Sequence, residues 1–188
     1  SVIPYSLATY LPGTPMEKVT IDHPEVKRTE ACVAEMTKTL LNIKGKRTVA
    51  SFHRELGKIM WDNCGMARNR SGLEWAIGRI AELREEYWLN ANIVGDNEGM
   101  NQGLEQAGRV ADFFELGELM CRDALQREES CGGHFREEHQ TPEGEALRHD
   151  EQFSYVAAWQ YRGAGNEPVL HKEPLTFNYV HPSQRSYK

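Results

Sequence analysis

The sequence lacks any apolar run near the roughly 20 residues needed to span a bilayer, and its start carries no signal-peptide core. It therefore reads as a soluble intracellular chain with no direct membrane insertion. Basic charge is in deficit. With 22 Lys and Arg against 28 Asp and Glu, the formal net charge is −6, so no basic stripe exists to neutralise phosphates and a nucleic-acid partner is excluded. Cysteines are few (Cys32, Cys64, Cys121 and Cys131), no C-x-x-C pair occurs, and reduced thiols are expected. No glycine-rich phosphate loop follows a strand, so the chain cannot itself build a nucleotide or flavin site of the doubly wound type. Only 39% of residues are hydrophobic and the mean hydropathy is −0.64, which limits the core, although 188 residues suffice for one domain of ordinary size.

What is present is helical periodicity. Residues 1–21 hold Pro4, Pro12, Gly13 and Pro15, which argue against a long helix and for a connector lying against something. The start at Ser1, in the apolar text SVIPYSLATYLPG, suits a processed or cloned fragment. A first helix is predicted to begin near Pro24, with Asp22 or His23 just outside, and to carry Val26, Val33, Met36, Leu40 and Ile43 on one face before Gly45 ends it. A second opens near Thr48, presents Val49, Phe52, Leu56 and Ile59, and closes at Cys64-Gly65. A third begins at an S-x-x-E capping box, Ser71 to Glu74, with Leu73, Ile77, Ile80, Leu83 and Tyr87 as its stripe. After the polar loop Asn92 to Gly99, a fourth carries Leu104, Ala107, Ala111, Phe114, Cys121 and Leu125, with Glu118 occupying a position where an apolar residue is expected. Its glycines Gly103, Gly108 and Gly117 suggest close packing against a neighbour.

These segments imply a mainly α fold. Three to four antiparallel helices form an up-and-down, spectrin-repeat-like bundle around one core. Beyond Glu138 the charged stretch Gln140 to Asp150 reads as a loop. Phe153 to Tyr161 and Val169 to Val180, flanking the turn Arg162 to Asn166, read as a short β-hairpin in a C-terminal extension.

Most candidate chemistry is thin. Cys121, Cys131, His134 and His139 have the donor types of a zinc site but not the spacing. Cys131 with His134 would place a nucleophile at the C-terminal end of a helix, where the dipole raises a thiol's pKa. Arg68 and Arg70 suit the last carbonyls of the second helix. Gly132 and Gly133 supply the φ freedom for a helix end that feeds an ordered loop.

One stretch carries more information. Arg127-Glu128-Glu129-Ser130-Cys131-Gly132-Gly133-His134-Phe135-Arg136 resembles the R-x-E-S-R-G-x-H-x-R motif of the C-terminal helical domain of the succinate dehydrogenase and fumarate reductase flavoprotein subunit, a pattern shared with L-aspartate oxidase. Arg127, Glu129, Ser130, Gly132, His134 and Arg136 match, while Cys131 stands where the family has arginine. Leu56 to Leu83 is similar to the family's helix, G-x-x-R turn and following helix, with Gly65 and Arg68 as the G and R. The opening IPYSLATYLPG and the closing RSYK resemble the long form of this subunit found with diheme quinone-reactive complexes.

The resemblance implies a fragment of a parent several times longer, in which FAD-binding and capping domains precede this segment. The parent would transfer hydride between succinate C–H and FAD, then pass electrons to an iron-sulfur subunit, and from there to a membrane cytochrome b subunit, on the cytoplasmic face of the membrane. No catalytic, cofactor-binding or metal residue of the parent falls in this sequence. The implied division is a connector (1–21), a helical bundle (22–136) and a loop-plus-hairpin extension (137–188). Gly65, Arg68, Arg127, Glu129, Ser130, Gly132, His134 and Arg136 would be interface residues, with Arg127 and Arg136 offering forked donors across a domain boundary and His134 a positioned hydrogen-bonding residue. The alternative is a free-standing helical interaction module with no redox role.

Overall fold

In the computed structural model, which describes residues 2–15, 18–163 and 165–184, the bundle is built from α2 (Pro24–Asn42), α3 (Val49–Cys64), α4 (Arg70–Asn90) and α5 (Gln102–Gln126), preceded by α1 (Val2–Gly13). The local chemistry sets most boundaries. His23 caps α2, its ring Nδ1 accepting from the Glu25 N–H, and Pro24 stands at the first helical position, where a missing N–H costs nothing. Thr48 caps α3 by accepting from the Ser51 N–H, and Asn101 caps α5 by accepting from the Leu104 N–H. The cap of α4 is Asn69, whose side chain accepts from both the Gly72 N–H and the Ser71 hydroxyl. The expected Ser71–Glu74 box does not form, because the helix already starts at Arg70 behind the Asn69 cap and Ser71 lies inside its first turn.

Two short backbone pairings fix the helix directions. β1 (Arg47–Thr48), at the start of α3, pairs in parallel with β2 (Ala91–Asn92), just after α4, so the beginning of one helix lies beside the end of the other. α3 and α4 therefore run antiparallel, and α5 returns alongside both. Gly45 sits under this junction: a Cβ there would meet the Asn90 carbonyl carbon at 2.0 Å, and its N–H donates to Ala91 O. At mid-height the Phe52 and Tyr87 rings meet edge-on at 5.1 Å and Phe114 lies 5.4 Å from Tyr87, all three fully buried. The Tyr87 hydroxyl donates to Ala107 O at 2.7 Å, which resolves the cost of burying it. Leu56 and Ile80 pack around Gly117, where the absent side chain lets α5 approach α3.

Several expectations are corrected. Residues 2–13 do form a helix: Pro4 falls in the first turn, where its missing N–H removes no hydrogen bond, and Pro12 falls one residue before the end, so that only the last turn lacks a bond. The stripe on α2 does not close on the core: Leu40 is buried, but Val33 and Met36 are 61% and 50% exposed. On α5 the inward face includes Val110, Gly117 and Ala124. Glu118, one position past Gly117, instead forms ion pairs with Arg122 at 2.8 Å and Arg84 at 2.9 Å, tying α5 to α4. The hairpin is present as an antiparallel pair, β3 (Tyr155–Gln160) with β4 (Val169–Pro174), preceded by the one-turn helix α6 (Asp150–Phe153). Ala164 of its turn and the closing residues 185–188 lie outside the described residues.

Gly45→Ala is expected to destabilise the chain by about 2 kcal/mol or more in urea unfolding, since backbone atoms cannot yield to the new methyl group. Gly78→Ala, on an exposed face of α4 with nothing within 4 Å, is expected to raise stability by up to about 1 kcal/mol.

Candidate functional site

The two segments singled out in the sequence, some 60 residues apart, come together at one end of the bundle. Helix α5 stops at Gln126 with Arg127 as its C-cap, five residues earlier than the glycine pair would suggest. Glycines 132 and 133 instead make a separate turn, in which Cys131 and His134 exchange backbone hydrogen bonds of 2.8 and 3.0 Å and Gly132 takes φ +60°. Beyond it the chain runs beside the α3–α4 turn. The Arg68 N–H donates to Phe135 O at 3.0 Å, and the Glu137 N–H donates to Arg68 O at 2.8 Å. Gly65 is required here for space, as a Cβ would lie 2.5 Å from Trp61 O.

Arg136 lies at the centre of the cluster, 1% exposed. Its Nη1 donates to the carbonyls of Ala124 (2.8 Å) and Leu125 (3.1 Å), two of the acceptors left open at the end of α5, and its Nε donates to Glu138 at 3.1 Å. Ser130, fully buried, accepts from the Arg136 N–H at 2.8 Å and donates to Arg136 O at 3.1 Å. The Ser130 N–H in turn donates to Leu147 O. Glu129 is buried between Arg127 Nε, at 2.9 Å, and the His149 N–H, also at 2.9 Å. Arg127 Nη2 donates to Phe153 O at 2.6 Å, and its guanidinium lies over the Tyr155 ring.

These bonds redirect the expected roles of the two arginines. The fork of Arg136 is used inside the chain to close α5, and that of Arg127 holds the C-terminal extension to the bundle. Arg136 is enclosed, while Arg127 keeps part of its side chain at the surface. The motif is thus a lock between α5, the α3–α4 turn and the extension.

Residues 53–187 match the model of the family described as fumarate reductase flavoprotein C-terminus. The chain belongs to that family. It is 27% identical over 158 residues to the fumarate reductase flavoprotein subunit of Escherichia coli K12, a match covering 84% of this chain and 25% of that protein. It is 31% identical over 98 residues to L-aspartate oxidase 2 of Ralstonia nicotianae, covering 50% and 16%. A solved quinol-fumarate reductase with menaquinol molecules has the same fold over 92% of this chain and 28% of its own, with a TM-score of 0.71 at 24% identity. The chain therefore spans a quarter or less of the length of these curated relatives.

In this member of the fumarate reductase flavoprotein C-terminal family, His134 links the two halves of the lock. Its Nδ1 is 3.0 Å from Arg68 Nη1 and its Nε2 is 2.9 Å from Arg127 O. Since arginine can only donate and a carbonyl only accept, the ring must be neutral with its proton on Nε2. Burial holds His134 below its ordinary value, and the charges of Arg68, Arg136 and Arg127 act in the same direction. Glu138 is partly buried, which acts to raise its pKa, but hydrogen bonds from the Arg70 N–H and Arg136 bring it below the usual carboxylate range. Sequence reasoning missed Asn69, Glu137 and Glu138, which stitch the same seam: Asn69 Nδ2 donates to Glu137 at 2.8 Å and the Arg70 N–H to Glu138 at 2.5 Å. The only signal was their position just beside each motif.

Among the described residues no three His, Cys, Asp or Glu side chains converge as metal ligands. Those residues do not fit a flavin either. Their one parallel strand pair, β1 with β2, is two residues long, and β1 runs straight into α3 with no glycine-rich loop between them to cradle a phosphate.

Arg136→Lys keeps the charge but loses the fork, and is expected to cost about 3 kcal/mol in urea unfolding, with α5's last carbonyls left unpaired. The pH dependence follows from the sign of the His134 shift. A histidine lowered in the folded state binds protons more readily unfolded, so its contribution is complete above pH 6.5 and is lost as pH falls through the lowered folded value. His134→Gln, which can donate to Arg127 O and accept from Arg68 without titrating, is expected to flatten the stability profile below about pH 6.5.

Proposed function

We propose that the chain is the C-terminal helical scaffold of a flavoprotein subunit that interconverts succinate and fumarate, and that its own work is to hold domains and subunits together. The supporting observation is the family match over residues 53–187 together with a lock whose polar groups are satisfied internally. FAD and the dicarboxylate would be bound by domains outside this chain. The parent would hand electrons to an iron-sulfur subunit, which passes them to a membrane quinone-reactive subunit, and it would sit on the membrane surface. The likeness in fold to a solved quinol-fumarate reductase favours such partners. No helix among the described residues is long and apolar enough to cross a membrane. The free-standing module draws no support from a match of this kind.

The division into connector (1–21), bundle (22–136) and extension (137–188) is part of the proposal, with the first piece given a sharper role. Helix α1 has no charged residue and no buried one; Val2, Ile3, Tyr5 and Tyr10 are each more than 60% exposed. An apolar helix this bare needs cover. The family match begins at His53, so α1 and the uncovered face of α2 lie outside the segment that defines the C-terminal domain. The preceding flavin-binding part of the parent is the natural cover. The exposed apex at Cys131 to Gly133 would present the motif toward the same neighbour.

The test compares two contexts. Tyr5→Asp with Tyr10→Asp is expected to leave the thermal midpoint of the 188-residue chain unchanged within about 2 °C, since neither ring is buried there. In the full-length subunit the same pair is expected to lower flavin retention and succinate-dependent dye reduction at least tenfold. Full retention of flavin and activity would sink the proposal.

A further inference from the structure

Two buried cysteines take no part in the lock. Cys64 ends α3 and Cys121 faces it from α5, 5% and 0% exposed. The two thiols are close enough for each to shift the other's pKa, and the Cys121 thiol donates to the Met60 thioether at 3.8 Å. Met60 and Cys64 are one helical turn apart, which puts both sulfurs on the same face of α3. Gly117, one turn before Cys121, leaves the room in which Met60 Sδ sits: a Cβ there would be 3.3 Å from that sulfur. Three sulfurs from two helices thus converge inside the bundle.

The Met60–Cys121 separation is one that a shared metal ion would require. Sulfur ligands about 2.3 Å from a central ion in a trigonal plane lie about 4 Å apart, close to the Met60–Cys121 separation. Zinc would need a fourth donor, and no third His, Cys, Asp or Glu joins the thiols among the described residues. Two thiolates and a thioether are soft donors, and they select a monovalent soft ion satisfied by three ligands. Arg68, whose charge acts on both thiols, would balance the net negative charge of two thiolates with one such ion.

We propose that Met60, Cys64 and Cys121 form a binding site for Cu(I), which would cross-link α3 to α5 beside the Gly65–Arg68 turn. Two protons leave the thiols as the ion enters, and no electron is transferred. The ion would stabilise the bundle by mass action, because the unfolded chain does not hold the three sulfurs together.

The experiment uses the 188-residue chain with Cys32→Ser and Cys131→Ser, which removes the two exposed thiols. Anaerobic titration with Cu(I) against the chelator bicinchoninate is expected to give one ion per chain and a rise in the thermal midpoint of several degrees. Adding Met60→Leu should weaken the affinity at least tenfold, and adding Cys121→Ala should abolish uptake. Copper X-ray absorption on the loaded two-serine protein is expected to show a shell of sulfur alone, and it decides the matter even if the core variants fail to fold. No uptake, or a shell containing nitrogen or oxygen, would overturn the site.

Discussion

The structure depends on the way a single buried guanidinium closes the longest helix. α5 ends in carbonyls that point into the protein, where water cannot reach them, and Arg136 arrives from ten residues downstream to occupy two of them. A buried cation would be costly alone. Here it is set against the negative end of a helix dipole and a neighbouring carboxylate, so its charge is answered by the backbone it caps. Ser130 then pins both the N–H and the carbonyl of Arg136, which fixes where the guanidinium can be. The rest of the lock follows from that placement. With Arg136 held in position, the Arg68 backbone pairs on either side of it, His134 bridges Arg68 to Arg127, and Glu129 accepts from the His149 N–H of the extension.

The bundle is accordingly held at both ends by backbone pairing and in the middle by packing. At one end β1 with β2 joins the start of α3 to the end of α4; at the other Arg68 and Arg136 form a second parallel bridge. Between them Phe52, Tyr87 and Phe114 fill the core, and Glu118 with Arg84 and Arg122 carries a polar connection along the α4–α5 face. This arrangement suits a part whose task is to keep its neighbours in register. The motif's Arg136, Glu129, Ser130 and His134 are engaged in structural bonds, and α1 with one face of α2 carries exposed apolar residues.

Much of this was legible in the sequence. Helix starts at Pro24 and Thr48, the closure at Cys64-Gly65 and the inward Phe52, Leu56, Leu73, Ile80, Leu83 and Tyr87 follow from capping chemistry and a 3.6-residue period. Those signals are local, and so are the hairpin's. What escaped was set by contacts distant in the chain. Asn69 displaced the Ser71–Glu74 box because it starts the helix two residues earlier, at Arg70, which leaves Ser71 inside the first turn. The stripe on α2 could be read but not its exposure, since periodicity says which residues share a face and not whether anything covers it. The α1 prolines do not prevent a 12-residue helix, since Pro4 costs nothing in a first turn and Pro12 interrupts only the last one. Nothing in the text REESCGGHFR revealed that its arginines would turn inward, because that depends on where α5 stops.

The central claim is that this chain is a domain of a larger flavoprotein, locked internally and bare where its neighbour sits. The most direct measurement is the size of the native polypeptide, by blotting a whole-cell extract with an antibody raised against the 21.5 kDa chain. A band several times larger, with flavin fluorescence comigrating under native conditions, is the expected result. A band at 21.5 kDa would contradict the account and leave a helical module acting alone.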